Sequence, residues 1–193
     1  MFGFGKKKAI EKHMAEWLEH PNEFGVKPKS VKFKKTYKGR LLGLGDTEIH
    51  LVDYTMPDGR TGRGFVNGSL TWSFLGDEVN SIDDNNLIKA YCGWAWLFPS
   101  LQQGNVATRF DGEAEQARLA ASLESQGVQE LQFRDKYKIG DSELFEFFGT
   151  LNGEKIRGAG DSGHQTMFRQ SQTQFALPTI YFHLGDEVIE SLN

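Results

Sequence analysis

The chain has 193 residues, of which 38% are hydrophobic and 12% aromatic, a composition that is typical of a globular protein and excludes a disordered one. Its single cysteine, Cys92, excludes an intramolecular disulfide framework and predicts a reducing compartment. The formal net charge is −4, but residues 1–40 carry 11 Lys and Arg against 4 Asp and Glu, so the rest of the chain is strongly acidic.

The amino-terminal segment 1–13 has a basic cluster that no apolar stretch follows, so we expect no secretory signal. The longest apolar run, Ala90–Phe98, is far shorter than the roughly 20 residues that a membrane-spanning helix needs. These two observations, with the single cysteine, predict a cytoplasmic protein that has no membrane partner.

A helix followed by four strands is predicted in the first part of the chain. Apolar residues at four-residue spacing predict a helix around Ala9–Leu18 that ends before Pro21. Alternating patterns and the turn signal Pro57-Asp58-Gly59 predict strands at Val31–Tyr37, Glu48–Met56, Arg60–Asn67 and Leu70–Leu75.

A connecting helix is predicted from Leu87 to Phe98, ended by Pro99. Its apolar residues, which include Trp94 and Trp96, lie all round the helix, so we expect it to be buried, either between the two halves of the chain or against a second subunit.

The last part of the chain is predicted to repeat the same order of elements. Alanines and leucines around residues 117–123 predict a helix, and Gly127 suits its end. The predicted strands are Leu131–Tyr137, Glu143–Leu151, Glu154–Gly160 and Thr179–Leu184, with the hairpin turn at Asn152-Gly153 and a loop insertion at 162–175.

Sequence matches between the two halves predict an internal duplication. Leu75-Gly-Asp-Glu-Val79 recurs as Leu184-Gly-Asp-Glu-Val188, and three shorter matches precede it in the same order. The predicted fold is therefore α+β, with two α-β-β-β-β units joined by the buried aromatic helix. The expected boundaries are 1–79 for the first repeat, 80–111 for the connector and 112–193 for the second, all within one globular unit.

Several motifs that suggest chemistry are set aside. Gly160-Asp-Ser-Gly163-His164 departs from the serine-protease motif in its last residue and lacks the protease's upstream histidine motif. The duplication aligns His50 with Phe145 and His183 with Phe74, which indicates core positions. Since the chain has no His-x-x-x-His or Cys-x-x-Cys, we expect no metal site, and we also expect no cofactor and no catalytic residue.

Four residues are left as candidates for binding. Arg63 and Arg157 are equivalent in the two repeats, so they suit twin anion sites, although a cross-strand partnership with acids of the neighbouring strand explains them better. Trp94 and Trp96 belong to the connector, which has no counterpart in the duplication.

The leading functional hypothesis is a non-catalytic module that binds a small molecule or a protein, and a homo-oligomer is compatible with it. One alternative is an enzyme with its site in a cleft between the repeats and the 162–175 insertion as a lid. Another is nucleic-acid binding through the basic first strand, with Lys32, Lys34 and Lys38. That strand lacks outward-facing aromatic residues, so nucleic acid is not the expected partner.

Overall fold

The computed structural model describes residues 3–42, 45–68 and 70–192 and has a mixed α+β fold with two antiparallel sheets and five α-helices. The described chain divides into two compact units. The first unit takes the described residues up to Asp84 together with those from Ile189 onward, and the second unit spans Asn85–Val188.

In both halves of the chain, helices are followed by several consecutive strands. In order they are α1 (Gly3–Glu19), β1 (Ser30–Leu41), β2 (Gly45–Thr55), β3 (Thr61–Asn67), β4 (Leu70–Leu75), α2 (Asp77–Asn80), α3 (Asp84–Gln102), β5 (Val106–Ala107), α4 (Glu113–Ser125), β6 (Val128–Ile139), β7 (Ser142–Leu151), β8 (Glu154–Gly160), β9 (Gln165–Arg169), α5 (Thr179–Val188) and β10 (Ile189–Leu192). A short 3-10 helix, Thr173–Ala176, precedes α5. The strand order is β10-β1-β2-β3-β4 in the first unit and β5-β6-β7-β8-β9 in the second.

Helix α1 covers one face of the first sheet because its apolar residues recur every four positions. Ile10, Met14 and Leu18 are buried and form a core cluster with residues of the sheet such as Tyr54. Strand β3 approaches the helix so closely that a Cβ at Gly64 would lie 2.3 Å from Met14 Cε. A larger residue at this position of β3 would therefore require the end of the Met14 side chain to move.

Helix α4 occupies the corresponding place in the second unit. Its Leu119 and Leu123 are completely buried in a cluster with Phe145 and Phe147 of β7. In both units a helix is followed by four strands, α1-β1-β2-β3-β4 and α4-β6-β7-β8-β9.

The two hairpins match the turn signals in the sequence. Strands β2 and β3 flank Pro57-Asp58-Gly59, and β7 and β8 flank Asn152-Gly153. Asn152 and Gly153 have φ values of 54° and 78°, the positive pair that a type I′ turn requires. The predicted hairpins are confirmed.

Helices α3 and α5 meet at two glycines of the second unit. A Cβ on Gly93 would lie 1.9 Å from the carbonyl oxygen of Tyr181, and a Cβ on Gly185 would lie 2.0 Å from that of Lys89. These contacts leave no room for any side chain, so the two backbones touch directly. They also fix the position of α5.

The final strand predicted at Thr179–Leu184 is wrong, because this segment lies in helix α5. A short apolar run suits a buried helix as well as a buried strand, and here burial extends round the helix. The fourth strand of the second unit is instead β9, which lies inside the segment 162–175 that we expected to be a loop insertion.

The repeated pentapeptides also occupy different structures. Leu75–Val79 runs from the end of β4 into α2, whereas Leu184–Val188 lies within α5. The alignment of His183 with Phe74 is therefore wrong, since Phe74 belongs to β4 and His183 to α5.

The predicted connecting helix exists as α3, but it continues past Pro99 to Gln102. Its buried positions include Tyr91 and Cys92, whereas Trp94 and Trp96 are half-buried and Phe98 is exposed. Most positions between Leu87 and Leu97 are therefore buried, and exposure increases toward the end of the helix. Among the described helices, none combines the length and apolarity that crossing a lipid bilayer requires.

Candidate functional site

Arg63 is a buried structural residue of the first unit. Its side chain is 7% exposed, and Nη1 lies 3.1 Å from Asp84 Oδ1, while Nη2 donates to the carbonyl oxygens of Val79 and Ile82. The acid that pairs with Arg63 comes from the first residue of α3 and not from a neighbouring strand. Arg63 thus fixes the chain that leaves β4.

Arg157 has its acid on the neighbouring strand, as the cross-strand interpretation predicts. Its Nη2 lies 3.7 Å from Oε1 of Glu146 in β7, its Nη1 donates to the carbonyl of Phe175 over 3.5 Å, and its guanidinium lies over the ring of Phe148. The same Glu146 oxygen accepts the backbone N–H of Ile180 at 3.3 Å. Glu146 thereby joins β7 to the start of α5.

Glu146 is only 2% exposed, and this burial raises the pKa of its carboxyl above the usual value. Because the folded pKa exceeds the unfolded one, the folded state binds more protons between the two values. The stabilisation that comes from the protonated Glu146 carboxyl is therefore complete below its unfolded pKa. It is lost as the pH rises through the folded pKa. Glutamine does not titrate, so we expect the Glu146→Gln variant not to show this pH-dependent loss of stability. Between about pH 4.5 and pH 8 the free energy of unfolding of the variant should fall less than that of the wild type.

Urea unfolding at several pH values measures this difference. Glu124→Gln makes the same chemical change at an exposed position of α4 and is the control. Parallel pH profiles for the wild type and Glu146→Gln would contradict the prediction.

The two tryptophan candidates lie along α3. Trp94 stacks on Phe98 with the ring centroids 5.4 Å apart, and Trp96 packs at the edge of an apolar cluster that includes Leu97. These contacts differ from those described for Arg157, which are with Glu146, Phe148 and Phe175.

The basic row of β1 is partly neutralised by acids of its own unit. Lys34 Nζ lies 3.0 Å from Asp84 Oδ1, and Lys38 Nζ lies 3.1 Å from Glu48 Oε1. Lys6 also bonds to Glu48, which lowers the pKa of this exposed carboxyl to about 2.

The second unit holds a cluster of two histidines and one glutamate that we did not predict from the sequence. His164 lies in the turn between β8 and β9, and His183 and Glu187 lie one turn apart on α5. One ligand atom from each residue lies within 4.8 Å of the other two, and within the described part of the chain this is the one such group of three or more His, Cys, Asp or Glu residues. We call it the His-His-Glu cluster.

The turn that carries His164 is held by Asp161. Oδ1 of Asp161 accepts the backbone N–H groups of Gly163 and His164, each at 2.8 Å. The Asp161 N–H in turn donates to the His164 carbonyl oxygen at 3.0 Å. These bonds make an Asx-type turn and limit the positions that the His164 ring can adopt.

His183 is the buried member of the cluster, with 1% of its side chain exposed, against 62% for His164 and 51% for Glu187. Its Nε2 lies 3.2 Å from Oε1 of Glu187, and Nδ1 of His164 lies 3.9 Å from the same oxygen. Thr166 Oγ1 lies 3.3 Å from His183 Nδ1. Although Nε2 is so close to Glu187, it makes no hydrogen bond with the carboxylate.

The contact between His183 and Glu187 is not an ion pair. Burial, and then the nearby His164, lower the pKa of His183 to about 4, so the imidazole is neutral at pH 7. Burial raises the pKa of Glu187. Both shifts are opposite to those that a charged pair produces.

An acidic cleft of about 1070 Å³ lies beside the turn of His164. It is lined by residues at the start of α4, by the β6–β7 turn and by Asp161, Ser162 and Gly163. The charged residues that line it are Asp111, Glu113, Glu115, Arg118, Asp141, Glu143 and Asp161. Negative charge therefore dominates the surface beside the turn that carries His164.

One short signal for the cluster was present in the sequence. His183-x-x-x-Glu187 places an imidazole and a carboxylate on one face of a helix, but this segment was assigned to a strand, on which the spacing has no such meaning. His164 had no signal, because only the fold brings the β8–β9 turn beside α5. In comparisons with known proteins, no family model, no curated protein and no solved structure matches the chain.

Proposed function

We infer that the protein is a ligand-binding protein whose second unit binds a divalent transition-metal ion through His164, His183 and Glu187. The observation that carries this proposal is the buried Nε2 of His183, which faces a carboxylate oxygen at 3.2 Å without a hydrogen bond. Buried polar atoms are nearly always satisfied, so such an atom needs an explanation.

The ring tautomer accounts for this arrangement. If Nδ1 of His183 carries the proton, it donates to Thr166 Oγ1, and Nε2 is then an acceptor that lies 3.2 Å from a Glu187 carboxylate oxygen. Two acceptors that face each other repel, and a cation between them removes the repulsion. The hydroxyl of Thr166 would act as the outer hydrogen-bond partner that metal-bound histidines normally have.

The distances suit a bound ion. Ligands at about 2.0–2.1 Å from a tetrahedral zinc ion are about 3.4 Å from one another. The distance from His183 Nε2 to Glu187 Oε1 is 3.2 Å, and that from His164 Nδ1 to the same oxygen is 3.9 Å. The exposed ring of His164 has to move inward to complete this geometry, since the three ligand atoms lie within 4.8 Å of one another.

The ligand set favours zinc or a similar ion over calcium or magnesium. Imidazole nitrogen suits Zn²⁺, Fe²⁺, Ni²⁺ and Cu²⁺, whereas Ca²⁺ and Mg²⁺ prefer oxygen ligands throughout. Two histidines and one glutamate form a ligand set that zinc proteins use.

Zinc titration of metal-free protein against a chromophoric chelator tests the proposal. We expect one Zn²⁺ per chain, and we expect the double variant His164→Ala/Glu187→Gln to lose it. Both residues are more than half exposed, so this variant is expected to fold. Equal zinc uptake by the wild type and the double variant would refute the site.

The shared order of elements supports an internal duplication of residues 1–79 as 112–193, which we also propose. Each first strand pairs with the second in the same register, with a bulge after Phe33 in one unit and after Phe133 in the other. Three cross-strand pairs of the first unit have an equivalent in the second. The pairs of the first unit are Tyr37–Ile49, Lys38–Glu48 and Asp53–Arg63, and their equivalents, in the same order, are Tyr137–Leu144, Lys138–Glu143 and Phe148–Arg157.

A crystal structure tests the duplication, because superposing β1–β3 on β6–β8 should place Tyr37 on Tyr137 and Arg63 on Arg157. A superposition that requires another register would contradict it. The cytosol remains our proposed compartment, since the only cysteine, Cys92, is a buried free thiol.

A further inference from the structure

We propose that the ion in the His-His-Glu cluster keeps one coordination position open to solvent, where a neutral molecule with a carbonyl-type oxygen binds directly to the metal. This inference rests on the proposed metal binding and assigns the ion a role, which is to bind a ligand directly. Structural zinc sites are closed by four protein ligands, whereas sites that act on a ligand have three protein ligands and one exchangeable position.

The chain offers three ligands at this place, and the nearby acids have other partners. Asp161 Oδ1 already accepts two backbone N–H groups. Asp186, which precedes Glu187 on α5, pairs with Lys89 Nζ at 2.6 Å. No fourth protein ligand therefore completes the coordination shell within the described residues.

The exposure of the ligands shows which side of the ion remains uncovered. His183 closes the protein side, since it is 1% exposed, whereas His164 and Glu187 are 62% and 51% exposed. An ion held by these three residues has its uncovered side toward solvent. A molecule that arrives there can replace a bound water without any movement of the core.

The ion has no evident structural task in the second unit. Helix α5 is already held by the close contacts of Gly93 and Gly185 with backbone atoms and by the burial of Ile180 and Leu184. The turn that carries His164 is held by Asp161. Since both segments are fixed by protein contacts, the ion serves ligand binding.

The surrounding charge selects the class of ligand. Asp161 and the acidic cleft lie beside the cluster, and their negative charge opposes the attraction between the ion and a multiply charged anion such as phosphate. A neutral ligand pays no such electrostatic cost. A metal ion that polarises the carbonyl of a bound molecule acts as a Lewis acid.

Cobalt substitution separates this inference from metal binding itself. Co²⁺ takes the same ligands as zinc and has a visible spectrum that depends on its coordination. With one Co²⁺ bound per chain, we expect acetamide, a neutral molecule with a carbonyl oxygen, to change the spectrum in a saturable way, and we expect phosphate at the same concentration to leave it unchanged.

Each outcome decides the matter. If Co²⁺ binds and acetamide leaves its spectrum unchanged, the open position is refuted while metal binding stands. If phosphate changes the spectrum as strongly as acetamide, the proposed ligand class is wrong. If the wild type takes up no Co²⁺ or Zn²⁺, the proposed function itself fails, and this inference fails with it.

Discussion

Replacing His164 by alanine is expected to weaken zinc binding by a factor of about 100 or more. Loss of a residue that only orients a metal ligand costs 10–100-fold in affinity, so loss of a ligand should cost at least the upper end of that range. His164 is 62% exposed, and its removal leaves no cavity in the core. The loss should therefore appear in the zinc Kd with little change in the unfolding temperature of the metal-free protein.

His50→Gln is the matched control. His50 is a buried histidine of the first unit, where its Nδ1 lies 2.9 Å from Thr36 Oγ1, and it belongs to no ligand cluster. We expect the control to bind zinc as the wild type does. A wild-type Kd for His164→Ala, or an equal loss in both variants, would show that the cluster does not hold the ion.

Gly185→Ala is expected to lower the free energy of unfolding by about 3 kcal/mol, the upper end of the range for overpacked cores. The added Cβ would lie 2.0 Å from the carbonyl oxygen of Lys89, and a backbone atom cannot move aside as the end of a side chain can. Helix α5 must therefore shift away from α3. Since α5 carries His183 and Glu187, zinc affinity should fall as well.

Gly5→Ala is the control for this substitution. Gly5 lies in α1, and no atom lies within 4 Å of a Cβ built there. Alanine at an exposed helical position should stabilise the protein by about 0.5–1 kcal/mol. Urea unfolding of the two variants measures both effects. A Gly185→Ala variant as stable as the wild type would contradict the close packing of α3 and α5.

The local elements were predictable where the chain itself carries the geometric signal. The Asn152-Gly153 turn fixes its hairpin because both residues must adopt positive φ, which asparagine and glycine do at low cost. Helix α1 was predictable because the spacing of Ile10, Met14 and Leu18 has meaning only on a helix.

The end of the second unit was not predictable by the same reasoning. The identity of Leu184–Val188 with Leu75–Val79 suggested equal structures, but five residues do not determine secondary structure against their surroundings. In α5, Gly185 allows the helix to lie against the backbone of α3, a contact between segments distant in the sequence. Pairing with β8 likewise makes a strand of the polar segment Gln165–Arg169.

The candidate site escaped the sequence analysis for the same reason. His183-x-x-x-Glu187 indicates a shared face only on a helix, and the third residue, His164, lies 19 positions before His183 on another element. The distance between such groups is set by the β8–β9 turn and by the α3–α5 contact. By contrast, the cross-strand origin of the acid beside Arg157 was predictable, because pairing in a hairpin is local.

The most direct test of the account is anomalous diffraction at the zinc absorption edge from crystals of the zinc-loaded protein. We predict one strong peak per chain, about 2.0–2.1 Å from His164 Nδ1, His183 Nε2 and Glu187 Oε1. The fourth position should hold a water or solute molecule and no protein atom. A crystal with no peak at these residues, or with zinc bound only elsewhere, would contradict the account.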